Sequence, residues 1–171
     1  MNFEKHLYLF RHGSASVGNE EDHRSITSGR VLLEEGFSEA NALAESLADK
    51  QIDAFYVSPY TRSVQTAEVV AAKHPSASFT IDEHFGDGLF YNWDDISKED
   101  AIESQKTLER VAGGFDNVLK TDYKNIAIVS HGGITRALLQ LCGYKFGGIP
   151  TAQYFHLGFD GKKWTLLEKP E

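Results

Sequence analysis

Two short apolar runs each deliver a histidine followed by glycine at their end: Leu7-Tyr8-Leu9-Phe10-Arg11-His12-Gly13, and Ile126-Ala127-Ile128-Val129-Ser130-His131-Gly132-Gly133. Runs this short, rich in branched and aromatic residues and closed by glycine, read as strands buried on both faces rather than as helices. A third run, Ala54-Phe55-Tyr56-Val57, is stopped by Pro59 and passes into a helical pattern near Thr61. The spacing predicts strands at 6–10, 54–57, 79–81 and 125–130, and helices at 35–48, 62–73, 97–119 and 134–141. Strand and helix alternate, so the expected fold is α/β, with a mostly parallel central sheet and helices on both faces. Residues 153–159 and 163–167 flank Asp160-Gly161, a hairpin turn signal, and predict a C-terminal antiparallel hairpin at one sheet edge.

Local patterns refine this. Ala40, Leu43, Ala44 and Leu47 form the stripe of a helix packed on a sheet. Ser97 suits an N-cap, with Asp100 as its partner at the third helical position. Gly113-Gly114 is expected to end or bend the long helix, because glycine is a poor helix former. A length of 171 residues with 41% hydrophobic residues suits one domain over residues 1–171. A single cysteine, Cys142, permits no internal disulfide and reads as a small core residue. The opening residues lack the apolar stretch of a secretory signal, and no apolar run is long enough to span a bilayer, so no membrane partner and a cytoplasmic location are expected.

The formal net charge is −8, which argues against a nucleic-acid partner. It also leaves an anionic substrate without help from the overall field, so a pocket for one must supply its own positive charge. Strand ends of an α/β sheet are where ligands bind, and Arg11 beside His12 points to an anion. Arg62 falls in the first turn of a helix that follows a strand, where unpaired backbone N–H groups attract phosphate. No histidine or cysteine spacing matches a metal site, and no metal or other cofactor is expected. His6, His23, His74, His84 and His156 lack the strand-end setting and read as structural or surface residues.

Four segments, in order, resemble the histidine phosphatase superfamily, the phosphoglycerate mutase-like proteins. They are Leu9-Phe10-Arg11-His12-Gly13, residues 33–44 around Gly36-Phe37, residues 58–67 opening Ser58-Pro59-Tyr60-Thr61-Arg62, and residues 129–138 around His131-Gly132-Gly133. The resemblance covers nearly the whole chain and is to the small single-domain phosphatases. It implies a phosphoglycerate mutase-like fold and hydrolysis of a phosphomonoester or a phosphohistidine through a phosphohistidine intermediate, without metal. The substrate would be a phosphorylated small molecule or a phosphohistidine protein. Mutase-type phosphoryl transfer and a non-catalytic phospho-ligand module are the alternatives. The chain lacks the added segments that cap the family's mutases.

By resemblance, His12 is the nucleophile, while Arg11, Arg62 and His131 surround the phosphoryl oxygens. The chemistry alone leaves open which histidine attacks. A leaving alkoxide also needs a proton, and the family draws it from a glutamate after the third strand. Aligning Trp93-Asp94 with the family's Trp-Glu pair places Asp87 there, a departure from glutamate; a second alignment promotes Asp82 or Glu83. The polar stretch 14–30 reads as a loop over the pocket mouth, with Ser14, Ser16 and Asn19 as substrate-binding candidates, joined by Gly132.

Overall fold

The computed structural model describes residues 2–17 and 30–171. The chain runs β1 (Lys5–Arg11), α1 (Glu34–Leu47), β2 (Ala54–Val57), α2 (Thr61–Ala71), β3 (Ser78–Ile81), a 3-10 turn (Glu83–Phe85), α3 (Lys98–Leu119), β4 (Asn125–Ser130), α4 (Gly132–Leu141), β5 (Tyr154–Phe159) and β6 (Trp164–Glu168). The predicted elements are all present, with ends shifted by one or two residues.

The six strands form one sheet in the order β3-β2-β4-β1-β5-β6. β3, β2, β4 and β1 are parallel, whereas β5 pairs antiparallel with β1 and with β6. Side chains of a strand alternate between faces, and β1 shows the result. Leu7 and Leu9 join the core under α3 and α4, with Val111, Phe115, Ile134 and Leu138. Tyr8 and Phe10 join the opposite core under α1 and α2, with Leu43, Leu47, Ala67 and Val70. The sheet is thus covered on both faces.

Register positions the site. β1 and β4 are neighbours, with Arg11 opposite Ser130. β4 and β2 are neighbours, with Val57 opposite Val129. The three motifs therefore leave the sheet at one level, on three adjacent strands, although His12 and His131 lie far apart in the chain.

One expectation needs a different account. Gly113-Gly114 neither ends nor breaks α3, which continues to Leu119. A Cβ on Gly114 would sit 2.4 Å from His84 Cβ, so glycine there admits the 3-10 turn against the helix. Gly13 likewise has a packing reason. A Cβ on Gly13 would lie 2.6 Å from the Gly36 carbonyl oxygen, so the chain leaving β1 crosses the first turn of α1 at backbone contact. Ser97 caps α3, its Oγ accepting from the Asp100 N–H at 3.0 Å. Cys142 is buried, which pushes its thiol up to about 12. Among the described residues, no helix is long and apolar enough to cross a membrane.

Candidate active site

His12 directly follows β1, its backbone N–H donating to the Ser130 carbonyl at 3.0 Å. The ring is 4% exposed. Its Nδ1 lies 2.7 Å from the Gly13 carbonyl oxygen. A carbonyl can only accept, so Nδ1 carries the proton and Nε2 keeps its lone pair. Arg62 Nε donates to that lone pair at 3.2 Å. Burial holds the His12 pKa down to about 3, helped by His131, Arg62 and Arg11 and opposed by the Gly13 carbonyl. The ring is neutral at physiological pH, with a defined tautomer.

Arg62 is 2% exposed and lies in the first turn of α2. Thr66, one turn on, secures the corner: its hydroxyl donates to the Arg62 carbonyl at 2.8 Å and accepts the Gly13 N–H at 3.0 Å. The guanidinium lies over the Tyr60 ring, 4.9 Å from its centroid, and Nη2 donates to Asp87 Oδ2 at 2.8 Å.

His131 stands at the end of β4 and opens α4, 2% exposed. Its Nε2 meets the Ser58 hydroxyl at 2.7 Å, and its Nδ1 lies 3.7 Å from Asp87 Oδ2. Burial pushes its pKa well below the ordinary value, reinforced by Arg62 and Arg11. The His12 and His131 rings meet edge to face with centroids 5.3 Å apart. Arg11, at the end of β1, donates from Nη1 to the Ile149 carbonyl at 3.0 Å.

These groups line a cavity of about 430 Å³ together with Arg30, Gly132, Gly133 and Arg136. Arg11 Nε, Arg62 Nη1 and His131 Nδ1 are buried and lack a hydrogen-bond partner among the described residues. Buried polar atoms are seldom left so, and each missing bond is costly. Three at one cavity suit an anion with several oxygens. Among the described residues, no group of three or more His, Cys, Asp and Glu side chains is placed to hold a metal ion.

The other candidates separate clearly. Asp87 reaches the cavity. Asp82 instead caps the 3-10 turn, with Oδ1 accepting from the His84 N–H at 2.9 Å. Glu83 faces a neighbouring hollow with Pro59 and His84. Gly132 lines the cavity at the start of α4. Ser14 is turned toward α1, donating from both N–H and Oγ to the Glu39 carboxylate at 2.7 Å each. The Ser16 Oγ accepts the Val31 N–H at 3.1 Å. Neither serine lines the cavity. Asn19 and His23 lie outside the described residues.

Sequence reasoning missed Arg30 and Arg136 as cavity groups. Arg136 had a signal, since it lies one helical turn beyond Gly132 on α4. Its guanidinium donates to the Phe90 carbonyl at 2.7 Å and the Gly147 carbonyl at 2.7 Å, and stacks 5.2 Å from the centroid of Trp93. Arg30 sits in an unpatterned polar stretch that singles out no residue.

The class defined by fold and site is an α/β protein whose parallel strands present paired histidines and a cluster of arginines at their carboxyl ends. A family profile described as "Histidine phosphatase superfamily (branch 1)" matches residues 7–108, and the chain belongs to that superfamily. A Hydrogenobacter thermophilus protein named "Putative phosphoserine phosphatase 2" is 28% identical over 163 residues, spanning 80% of this chain and 78% of that protein. Among solved structures, the Bacillus stearothermophilus protein YhfR superposes with a TM-score of 0.77 at 17% identity, covering 96% of each chain. The alpha-ribazole phosphatase from Shigella flexneri superposes with a TM-score of 0.75 at 20% identity, covering 95% of this chain and 94% of the other. At those identities the structural likeness speaks for the fold.

Proposed function

We propose that this protein is a phosphatase that hydrolyses small phosphomonoesters through a phosphohistidine at Nε2 of His12. The carrying observation is the His12 ring. Its proton is fixed on Nδ1 by the Gly13 carbonyl, and Nε2 faces a cavity ringed by arginine. Of the two histidines, only His12 has its tautomer fixed by a carbonyl, and this favours it as the nucleophile. The cavity volume of about 430 Å³ suits a small molecule.

The substrate phosphate enters between Arg11, Arg62 and His131. Their unpartnered donors bind its oxygens and stabilise the charge that spreads over them in the transition state. It also competes with Asp87 for Arg62. Parting that pair frees the Asp87 carboxyl group to face the leaving oxygen. Nε2 gives up the Arg62 Nε hydrogen bond as that guanidinium turns to the phosphate, its freed lone pair attacks phosphorus, the ester P–O bond breaks, and the leaving oxygen takes the Asp87 proton. Water then attacks the phosphohistidine and gives a proton to the Asp87 carboxylate. The P–N bond breaks, and inorganic phosphate leaves with the His12 lone pair restored.

The test is a rapid base quench during turnover of a labelled phosphomonoester, followed by mapping of the label. Label is expected on His12, with turnover and label both lost in His12→Ala. Label on another residue, or near-normal turnover by His12→Ala, would overturn the assignment.

A further inference from the structure

The loop that carries Asp87 is held by a residue outside the cavity. Arg110 lies on α3, and its guanidinium donates to four loop carbonyls. Nη1 reaches the carbonyls of Glu83 at 3.2 Å, His84 at 2.7 Å and Gly86 at 2.8 Å; Nη2 reaches the Asp87 carbonyl at 3.2 Å. The Glu83 oxygen also accepts the Gly86 N–H within the 3-10 turn at 3.1 Å; the turn and the bend after it leave the other three oxygens to Arg110, and one cation gathers all four.

The neighbouring helix positions are shaped to the same loop. Gly114, one turn beyond Arg110, is where a Cβ would strike His84. Thr107, nearly one turn before it, packs against Gly88, where a Cβ would lie 2.7 Å from Arg110 Nη2 and 3.1 Å from Thr107 Oγ1. The 107, 110 and 114 face of α3 is thus a mould for residues 83–88. Phe85 fills the core beneath, fully buried. Asp87 itself has two side-chain ties, one to Arg62 and one from the Gly88 N–H to Oδ1 at 2.9 Å. If the phosphate takes Arg62, the carboxyl group depends for its position on the loop backbone, which Arg110 fixes.

We infer that Arg110 is a positioning residue for proton transfer, setting the reach of Asp87 toward the leaving oxygen without touching the substrate. The inference rests on Asp87 being the acid. Misplacement of a catalytic group by about 1 Å can cost on the order of 10²-fold in rate. Arg110→Ala should therefore slow hydrolysis of an alkyl phosphate by roughly 10-fold to 10²-fold, because its alkoxide needs the proton. Hydrolysis of p-nitrophenyl phosphate, whose leaving group needs no proton, should change by less than about 3-fold.

The deciding measurement is a double-mutant cycle with Asp87→Asn on both substrates. In the Asp87→Asn background the effect of Arg110→Ala on the alkyl phosphate should disappear. An equal loss on both substrates, or a full Arg110→Ala effect persisting beside Asp87→Asn, overturns the inference. The acid reading is tested separately by Asp87→Asn alone: if that single variant spares the alkyl phosphate, the acid reading falls and takes the inference with it. Arg110→Gln, which keeps part of the tether, should fall between wild type and Arg110→Ala on the alkyl phosphate and guards against a folding artefact. A variant ranking that follows melting temperature instead of substrate type refutes the role.

Discussion

Acidification should remove a definable share of stability through the His12 ring. The ring is buried at the end of β1, and burial, His131, Arg62 and Arg11 together hold its pKa to about 3 against an ordinary 6.5. In the unfolded chain those influences are gone and the ring takes up a proton near 6.5. As pH falls below that value, the unfolded state binds a proton that the folded state refuses until about 3. Stability is thus intact above the unfolded value and is lost as pH falls through the interval. Between about pH 7.5 and about pH 5 the unfolded ring gains roughly 1.5 units' worth of protonation free energy. At about 1.4 kcal/mol per unit the loss is about 2 kcal/mol. The folded ring is still neutral at the lower pH, so the unfolded value alone sets this figure. His131 shifts in the same direction, and it must be separated out. Urea unfolding of wild type and His12→Gln, in phosphate-free buffers at both pH values, does so. Wild type should lose about 2 kcal/mol more than the variant across the interval. Equal losses would refute the reasoning, because they would mean that the folded ring titrates like a free one. The kinetic counterpart is a kcat/KM profile without an acidic limb from His12 over this range.

Further outcomes are expected at the other groups of the cavity. Arg62→Ala should lower kcat/KM by on the order of 10²-fold or more, as for removal of one preorganised charge partner, measured with a nitrophenyl phosphate. Asp87→Asn should slow alkyl phosphate hydrolysis by roughly 10²-fold to 10⁴-fold and aryl phosphate hydrolysis far less. If Asp87→Asn leaves both rates unchanged, a protein phosphohistidine, whose imidazole leaves without strong acid help, becomes the substrate to assay. Turnover should survive exhaustive treatment with a chelator. A rate that collapses and returns only with a divalent ion contradicts a mechanism built from histidine and arginine.

Much of the fold is written locally. The strands β1, β2 and β4 are bounded apolar runs, and their ends are marked by His, Pro or Gly, so type and place could be read together. The convergence of Arg11, His12, Arg62 and His131 was legible for the same reason, since parallel strands carry their carboxyl ends to one edge. The choice among the three acid candidates was less so. Asp82, Glu83 and Asp87 are the same chemistry in one short stretch, and what separates them is a 3-10 turn. That turn consumes the Asp82 carboxylate as its own cap and directs Asp87 inward. A turn of one residue's difference has no periodic signal in sequence. The Gly113-Gly114 pair misled for a related reason. Helix propensity counts against glycine, while the space that glycine leaves can be filled only by a loop from elsewhere in the chain.

The manner in which the arginines are anchored explains how an acidic chain keeps a cationic pocket. Among the described residues, four arginines line the cavity: Arg11, Arg30, Arg62 and Arg136. Arg11 is tethered by the Ile149 carbonyl, Arg30 by the Ser16 carbonyl and Arg136 by those of Phe90 and Gly147. A backbone carbonyl orients a guanidinium by hydrogen bonding yet carries no net charge, and so leaves the positive field available to a ligand. Only Arg62 is paired with an acid, Asp87, among the described residues. In the proposed mechanism that pair is also the one that the substrate parts, which frees the Asp87 carboxyl group for the leaving oxygen. The same uncancelled field, added to burial, keeps His12 and His131 neutral. In the proposed mechanism, one arrangement therefore favours the dianion, keeps His12 unprotonated for attack and leaves Asp87 as the single carboxyl group beside the phosphate.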